Sequence, residues 1–487
     1  MSSELFSSAL RKSVEDDKYV YGKFLISEGL EDEVEEFSIC VSLINEYMFK
    51  ADQFYFTKLL YGNEYVVDIS DEDKQIFEGY HPYFFEFKAH SRDARIRSFI
   101  LQHCGEWIKM ELLTEEIETI QNEYIIDGTM IFGASPLILS GRRLTFDSSA
   151  LSDPIAKEIE DLYSCSDKLT KKNNLYALTK KNINAKNVLD SFRNLLPNDI
   201  KFVLGTIHNV GQANNIKLSL QSSNSKKATI LFDVGCTYQS ADSGNKLITR
   251  NTRSFIHEKF DAIILSHWDV DHISGIEYYN ENLLYSKKMI WIAPDVNLLG
   301  KDELSASAFR LAAYLANKSQ LYLADSLNKC INIGNRVLEI WQGDGTQHKN
   351  VLSNKTEATH NNVIGLLVEI KGFGKAVVND MVEAKHSMRF PQDVRALLCG
   401  DCTFLSIPKQ LKNKQYDILV TPHHGTDTTT PDIRGTQNAV AIISAGKVDK
   451  NDIYYPGPNH VYQLVKNDFS RVLLTEKYSN IGFIMYT

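Results

Sequence analysis

The chain has 487 residues, of which 43% are hydrophobic and 24% charged, and its formal net charge is −9. This composition is ordinary for a globular protein, and the length indicates two or more domains. No run of about 18 apolar residues occurs and the N-terminus lacks the apolar core of a signal peptide, which argues against a membrane protein. Seven cysteines in apolar contexts favour a reducing compartment, so we expect a cytoplasmic protein.

The charge is unevenly distributed along the chain. Residues 1–150 carry a balance of −14, residues 151–200 a balance of +1, and residues 201–487 a balance of +4. Such asymmetry indicates separate roles, and an acidic module would repel nucleic acid. We therefore predict three parts: an acidic N-terminal module of unknown function over 1–165, a Lys-rich linker over 166–198, and a second domain over 199–487.

The N-terminal module combines predicted helices and strands and is rich in aromatic residues, as in "HPYFFEFKAH". The stretch "LTEEIETIQNEYI" has apolar residues at helical spacing. The linker contains the near-repeat "LTKKNN" and "LTKKN", with six lysines and no acidic residue over 168–187. A solvated linker is the simpler interpretation of this charge run, and a strip that follows a phosphate backbone is the alternative.

After residue 200, short apolar runs rich in β-branched residues recur, and each ends at Gly, Asn, Asp or a similar polar residue. They predict buried strands. The stretch "DELSASAFRLAAYLANK" between two of them predicts a helix, so the domain is α/β or α+β. The runs are "KFVLGTIH", "ATILFDVG", "DAIILSH", "KMIWIAP", "RVLEIWQGD", "NVIGLLVEI", "RALLCGD", "YDILVTPHHG", "AVAIISAG" and "RVLLTE".

Four potential metal ligands crowd into "HWDVDH" at the end of one predicted strand. Alternate residues of a loop can turn the same way, so His267 and Asp269 can bind one cation. Asp271 and His272, further round the turn, can bind a second. Nitrogen and carboxylate ligands together suit zinc, manganese or iron rather than calcium. Two such ions lie roughly 3.5–4 Å apart and need a bridging carboxylate.

Further candidates follow later strands. Asp401 ends "ALLCGD", and His423 and His424 follow "DILVTP". Asp233 ends "ILFDVG", where it is better placed to orient a ligating histidine than to bind metal. His360, in "THNNVIGLL", has a similar position at a strand edge.

Each of these candidates is weak alone, because Gly-Asp is usually a turn and a lone histidine is usually structural. The pair Cys399 and Cys402 in "CGDC" resembles a redox motif, but packing of two small hydrophobic side chains is the favoured interpretation. The motifs follow in the order strand to Asp, the HWDVDH loop, strand to Gly-Asp, and strand to His-His-Gly. This order indicates a common site.

That order resembles the metallo-β-lactamase fold, and within it the hydrolase domain of the ComEC-type competence proteins, over about residues 200–487. The matching stretches are "HNVGQANN", "ILFDVG", "SHWDVDHISG", "LLCGD", "TPHHGT" and "IISAG". The resemblance implies a four-layered αββα sandwich with a two-metal site at one edge. It implies that the ligands are His267, Asp269, Asp271, His272 and Asp401, the last as the bridge, together with His423 or His424.

The sequence also departs from the family pattern. Asp269 stands where the broad fold family has a histidine; the ComEC-like branch shares this change, and the added oxygen ligand favours manganese over zinc. In the opening motif, which places Gln212 and Asn214 beside the ligands, Ala213 replaces the usual glycine. The mid-domain histidine of the family corresponds to His360 or Asn362.

Two bound ions would activate water for attack on an electrophile. Asp271 would orient this nucleophile, and His424 or His360 would stabilise charge on the leaving oxygen. Because the fold hosts many hydrolyses, the substrate must be inferred from the resemblance, which implies nuclease action on DNA or RNA. Relatives of this branch also occur in bacterial defence loci.

Two other functions remain open. The first is hydrolysis of a lactone, cyclic nucleotide or phosphoester in a closed pocket, with part of the interval between residues 273 and 395 as a lid. The second is a metal-stabilised scaffold without enzymatic activity. Whatever the substrate, the acidic module is expected to contact a protein partner; the alternative is that it mimics the charge of nucleic acid and covers the active site.

Overall fold

The structure is a computed structural model of the chain. The residues that it describes are 2–25, 37–61, 69–113, 124–133, 137–146, 151–163, 185–197, 199–211, 213–236, 259–278, 289–296, 299, 304–318, 320–324, 330–333, 337–344, 364–380, 386–425, 433–445, 456–478 and 480–486. In this part of the chain, no helix is long and apolar enough to cross a membrane.

The chain divides into two compact units. Unit 1 consists of Met1–Ile183 and Val296–Ser319, and unit 2 of Asn184–Asp295 and Gln320–Thr487. The division differs from the three sequential parts that the sequence predicts. The cause is the segment Val296–Ser319, which lies within the predicted domain 199–487 in sequence but packs with the N-terminal residues.

Unit 1 is built on a closed barrel, in which the described strands pair in the order β1-β2-β3-β5-β6-β4 and β4 pairs with β1. Phe24, Phe99 and Phe146 pack against one another between these strands and α4, with ring centroids 5.0–6.4 Å apart. The strands are β1 (Tyr19–Leu25), β2 (Phe37–Ile44), β3 (Phe84–Ser91), β4 (Trp107–Leu113), β5 (Tyr124–Gly133) and β6 (Leu137–Phe146). The helices are α1 (Ser2–Asp16), α2 (Glu46–Tyr61), α3 (Asp71–Phe77), α4 (Ala94–His103) and α5 (Pro154–Leu162), with the inserted helix Ala306–Asn317.

Unit 2 contains fourteen strands in its described residues, joined in one hydrogen-bonded network. The main path is β12-β11-β10-β9-β8-β7-β20-β15-β16-β17-β18-β19, and β13 pairs with β14, which pairs with β15. The strands are β7 (Ile200–Ile207), β8 (Ile216–Ser222), β9 (Lys227–Phe232), β10 (Ala262–Ile264), β11 (Ile290–Pro294), β12 (Leu321–Ala324), β13 (Cys330–Ile333), β14 (Leu338–Gln342), β15 (Leu366–Asp380), β16 (His386–Leu398), β17 (Gln415–Val420), β18 (Arg434–Ile443), β19 (Phe469–Leu474) and β20 (Ile481–Tyr486). Its helices are α6 (Ala185–Leu195), α7 (Val270–Ile273), α8 (Lys409–Lys412), α9 (Pro458–Lys466) and α10 (Thr475–Tyr478).

The strand path of unit 2 folds back on itself. Five strand spacings separate β10 from β15 along the path, which would be about 24 Å in a flat sheet. Yet the backbone N–H of Leu366, where β15 begins, donates to the carbonyl of Ser266, just after β10, at 2.7 Å. The ends of β9 and β10 therefore lie beside the ends of β15 and β16.

Alternate residues of the strands supply two separate cores. Ile264 of β10, Leu398 of β16 and Val420 of β17 belong to one large apolar cluster. On the opposite face of β16 and β17, Leu397 and Leu419 pack with residues around α8 and α9 in a second cluster. Burial of both faces explains why these strands read as continuous apolar runs in the sequence.

The ten apolar runs that the sequence predicts as strands all form strands, and the predicted helix within 302–318 is confirmed as Ala306–Asn317. Cys399 and Cys402 are buried in the second cluster, which confirms packing as their role. The predicted helix in "LTEEIETIQNEYI" falls mostly on 114–123, outside the described residues, as does the lysine-rich stretch up to residue 184.

A buried ion pair fixes the inserted helix in unit 1. The guanidinium Nε of Arg310 donates to Oδ2 of Asp52 at 2.8 Å, and both side chains are fully buried. Three tyrosine hydroxyls, those of Tyr80, Tyr83 and Tyr163, also donate to this carboxylate. A buried pair of charges is tolerated only when hydrogen bonds satisfy it, as they do here.

The first turn of the inserted helix has its own polar contacts in unit 1. The backbone N–H of Ala306 donates to Oγ of Ser42 at 2.9 Å, and the hydroxyl of Ser307 donates to Oε1 of Glu86 at 2.7 Å. Burial raises the pKa of Glu86 to about 7, although the Ser307 hydrogen bond and nearby cations lower it. Glu86 is thus protonated in the folded chain at pH values where it ionises in the unfolded chain.

We predict that Glu86→Gln changes the pH dependence of stability. Because the folded pKa is raised, its contribution to stability is complete below the unfolded pKa and is lost as the pH rises to about 7. The free energy of unfolding of the wild type should fall by up to about 3 kcal/mol over that range, relative to Glu86→Gln. Thermal unfolding from pH 4 to pH 8 measures this. Glu78→Gln, at an exposed carboxylate, is the control, and parallel curves for wild type and Glu86→Gln would contradict the prediction.

Candidate metal centre

The candidate ligands of unit 2 meet where parallel strands end. Asp233 follows β9, His267 follows β10, Asp401 follows β16, and His423 and His424 follow β17. Strands β9 and β10 are parallel, as are β16 and β17, so each pair delivers its loops to one edge. The fold-back of the strand path brings these two edges together, which is where open α/β sheets place their sites.

One carboxylate oxygen lies at the centre of the cluster. Oδ2 of Asp401 is 3.2 Å from Nε2 of His272, 3.7 Å from Nε2 of His424, 3.8 Å from Nε2 of His423 and 3.9 Å from Nε2 of His267. Four imidazoles from two chain segments thus direct Nε2 at Oδ2 of Asp401.

Two further carboxylates divide the histidines into two groups around Asp401. Oδ2 of Asp269 is 3.2 Å from Nε2 of His267, and Oδ2 of Asp271 is 3.5 Å from Nε2 of His424. One group consists of Asp271, His272, Asp401 and His424. Its ligand atoms lie within 4.8 Å of one another and could hold a metal ion.

The free nitrogen atoms of the histidines fit a metal. Nε2 of His267, of His272 and of His424 is buried and has no hydrogen-bond partner among the described residues. A buried polar atom without a partner is costly, whereas bound divalent ions would satisfy all three. Ligands about 2.1 Å from a tetrahedral ion are about 3.4 Å apart, close to the distances observed here.

The other ring nitrogen of these three histidines is engaged. Nδ1 of His272 donates to Oδ2 of Asp233 at 2.8 Å, and the hydroxyl of Ser266 donates to the same oxygen at 2.7 Å. Ser266 Oγ then accepts from Nδ1 of His267 at 3.0 Å. With Nδ1 as the donor, the neutral rings keep an electron pair on Nε2 for a metal.

His424 is oriented by a different element. Its Nδ1 donates to the backbone carbonyl of Ser444, after β18, at 2.9 Å. A carbonyl can only accept, so the proton of the neutral ring lies on Nδ1 and Nε2 is unprotonated. The hydroxyl of Ser444 in turn donates to the carbonyl of Ala213 at 2.6 Å, which ties the opening loop to this histidine.

The charges of the cluster stabilise one another. Burial would raise the pKa of Asp401, but the imidazoles of His272, His424 and His423 hold this pKa well below the usual range. Burial would likewise lower the pKa of His272, but Asp401, Asp233 and Asp271 raise it well above its ordinary value. The metal-free cluster therefore favours an ionised Asp401 beside a protonated imidazole.

The backbone of the site is strained. His423 and His424 have φ angles of 50° and 51°, and Asp233 has a φ of 58°, in the left-handed region that non-glycine residues rarely adopt. Such residues cost of order 1–3 kcal/mol each and persist where the surroundings impose them. Two consecutive histidines in this conformation indicate that ring placement, rather than stability, selects the backbone here.

Two glycines permit the close approach of the ligand loops. A Cβ on Gly235 would lie 1.9 Å from the carbonyl oxygen of Asp271. A Cβ on Gly400, whose φ is 56°, would lie 2.3 Å from the Cβ of Ser266. Any side chain at either position would separate Asp271 or Asp401 from the histidines.

Trp268 anchors the loop between its two ligand candidates. The indole is buried, and its Nε1 donates to the carbonyl of Pro294, at the end of β11, at 3.0 Å. The carbonyl of Asp269 accepts the backbone N–H of His272 and begins α7. Because Trp268 points to β11, the residues on either side of it turn toward Asp401.

The exposure of the cluster differs among its members. The side chains of Asp269 and Asp271 are 50% and 27% exposed and that of His423 is 17% exposed, whereas those of His267, His272 and His424 are at most 1% exposed. Among the described residues, the two carboxylates are thus the most exposed part of the cluster.

Other predicted residues have different outcomes. Asn214 lies beside Asp401, with Nδ2 3.3 Å from its Oδ1. Gln212 and His360 lie outside the described residues, so their predicted roles stay predictions. Sequence reasoning did not identify Ser266, Ser444 or Trp268. Only the position of Ser266 and Trp268, next to His267, could have pointed to them.

Comparisons with known proteins give limited similarity. No protein-family profile and no curated protein matches the chain. A diphosphatase from the PhnP family aligns with a TM-score of 0.28 and 12% identity, over 59% of this chain and 100% of its own. A long form RNase Z from yeast aligns with a TM-score of 0.26 and 11% identity, over 58% of this chain and 42% of its own. These TM-scores are low, so the site is judged by its own geometry.

We predict that Asp233→Asn weakens metal binding by about 10- to 100-fold, because the amide keeps the shape but loses the charge that orients His272 and Ser266. Isothermal titration with Mn²⁺ and Zn²⁺ measures this affinity. Asp261→Asn is the matched control, since that carboxylate lies outside the ligand cluster and accepts the backbone N–H of Thr229 in β9. Equal affinities in the two variants would refute the role of Asp233.

A second prediction concerns Trp268→Phe, which keeps an aromatic ring and removes the hydrogen bond to Pro294. We expect faster hydrogen exchange of the His272 amide and metal affinity lowered about tenfold. Trp291→Phe is the control, because Nε1 of Trp291 has no hydrogen-bond partner among the described residues. Mass-spectrometric hydrogen exchange tests the first effect, and a change of equal size in both variants would count against it.

Proposed function

We propose that the chain is a metal-dependent hydrolase of the metallo-β-lactamase type, with a four-layered αββα second unit, and that it cleaves phosphodiester bonds in DNA or RNA. The position of Asp401 carries this proposal: a single buried oxygen, Oδ2, is within 4 Å of Nε2 of four histidines. Such an atom is suited to bridging two divalent ions.

The residues around Asp401 would hold two ions. Asp401 belongs to both sets, and manganese or zinc fits the mixture of nitrogen and oxygen donors, with Asp269 favouring manganese. When bound, two ions supply Lewis-acid activation of water and stabilise an oxyanion. The first set is His267, Asp269, His423 and Asp401, and the second is Asp271, His272, His424 and Asp401.

The chain's own groups would supply positioning. Asp271 is partly exposed and would accept a hydrogen bond from the attacking water. His424 has Nδ1 held by Ser444 and Nε2 directed at the ligand cluster, so it would serve as a ligand, and stabilising the leaving oxygen would fall to His360. Burial of three of the four histidines would limit the access of bulk water to the cluster.

The balance of charge supports an anionic substrate. Three carboxylates, those of Asp269, Asp271 and Asp401, would repel a phosphodiester from the metal-free site. Two divalent ions outweigh these three charges, so phosphate binding would depend on metal. We propose nucleic acid as the substrate and, because residues 1–150 have a balance of −14, a protein partner rather than nucleic acid for unit 1.

Cleavage of labelled single- and double-stranded DNA and RNA, with manganese, zinc and magnesium in parallel, tests the proposal. We expect the double variant Asp271→Ala, His272→Ala to abolish cleavage. Asp393→Ala, at a carboxylate 62% exposed on β16, should leave it unchanged. Metal binding without cleavage of any nucleic acid, together with hydrolysis of a cyclic nucleotide, would favour a small-molecule hydrolase. Bound metal without any hydrolysis would favour the metal-stabilised scaffold, and absence of bound metal would refute both enzymatic functions.

A further inference from the structure

The two oxygens of Asp401 have different neighbours. The four histidine contacts all involve Oδ2. Oδ1 instead accepts a hydrogen bond from Nδ2 of Asn214, at 3.3 Å. Asn214 is 2% exposed, so water does not compete freely for this contact. The amide thus occupies one carboxylate oxygen and leaves the other for the histidine cluster.

The NH₂ end of this amide faces Asp401. Nδ2 of Asn214 is the atom at hydrogen-bond distance from Oδ1 of Asp401, and an amide nitrogen can only donate. The amide oxygen, Oδ1, then points elsewhere, and it is buried without a hydrogen-bond partner among the described residues. A buried acceptor of this kind is costly unless a donor reaches it.

The backbone holds Asn214 from two sides. Its carbonyl accepts the N–H of Gly235 at 2.8 Å, and Gly235 lies against the carbonyl of Asp271. The preceding carbonyl, of Ala213, accepts the hydroxyl of Ser444. The amide is therefore fixed relative to both Asp271 and His424, which belong to different chain segments.

We propose that Asn214 is a positioning residue that makes Asp401 present a single oxygen to both metal ions, and that its Oδ1 accepts a hydrogen bond from a water molecule beside Asp401. The inference rests on the proposed function insofar as metals bind at this cluster. It extends that function because it assigns the two ends of one amide separate tasks. The N–H end sets how the carboxylate bridges, and the C=O end holds the water.

The test compares three variants by the absorption spectrum and affinity of bound Co²⁺, which need no substrate. Asn214→Leu removes both ends of the amide at similar volume, and Asn214→Asp keeps an acceptor oxygen but removes the donor. We expect both to shift the Co²⁺ spectrum and to weaken binding at one of two sites by about tenfold. Asn215→Leu, at the neighbouring buried amide that donates to the Gly235 carbonyl, controls for lost stability and should leave the spectrum unchanged.

The two ends of the amide are separated by kinetics. With metal saturating, kcat should fall further in Asn214→Leu than in Asn214→Asp, because only the latter keeps an acceptor for water. An unchanged spectrum and affinity in Asn214→Leu, or a wild-type chain that binds no Co²⁺, would overturn the inference. A shifted spectrum in a protein that cleaves no nucleic acid would uphold the positioning role and reject only the substrate.

Discussion

The buried carboxylate of Asp401 is the constraint to which the rest of unit 2 responds. An ionised group with 3% exposure is unfavourable unless positive charge and donors surround it. Four imidazoles and one amide meet this demand, and they come from loops after β7, β10 and β17. The cluster is therefore a property of the folded sheet rather than of any one motif, and it is costly without a cation.

That constraint accounts for features that would otherwise be liabilities. Left-handed backbone at His423 and His424 destabilises the chain locally, and Gly235 and Gly400 give up side-chain packing. The apolar strands behind the site, buried on both faces, compensate by making the edge rigid. Functional sites commonly show this combination of local strain and strong support.

Prediction from sequence succeeded where the information is local. The strands were readable from apolar runs, and "HWDVDH" carries four candidate ligands within six residues. Sequence patterns could not give the strand order. Strand β20 pairs between β7 and β15, and the paired residues are 100 or more positions apart in the chain. Nor could sequence patterns choose between His423 and His424: both adopt positive φ, so both rings approach Asp401. Ser444 holds His424 through its backbone carbonyl, which any residue type provides.

Because the inserted helix belongs to unit 1 but lies within the sequence of unit 2, no single break in the chain separates the two units. Strands β11 and β12 are parallel neighbours, so the chain between them must cross over, which takes a dozen or more residues. Here that crossover is the segment Val296–Ser319, whose helix belongs to the core of unit 1. A fragment that begins after residue 183 would retain a helix with eleven buried residues and no partner for Arg310. An isolated unit 2 would therefore need a new polar crossover between Asp295 and Gln320, and recombination by simple domain exchange would fail for the same reason.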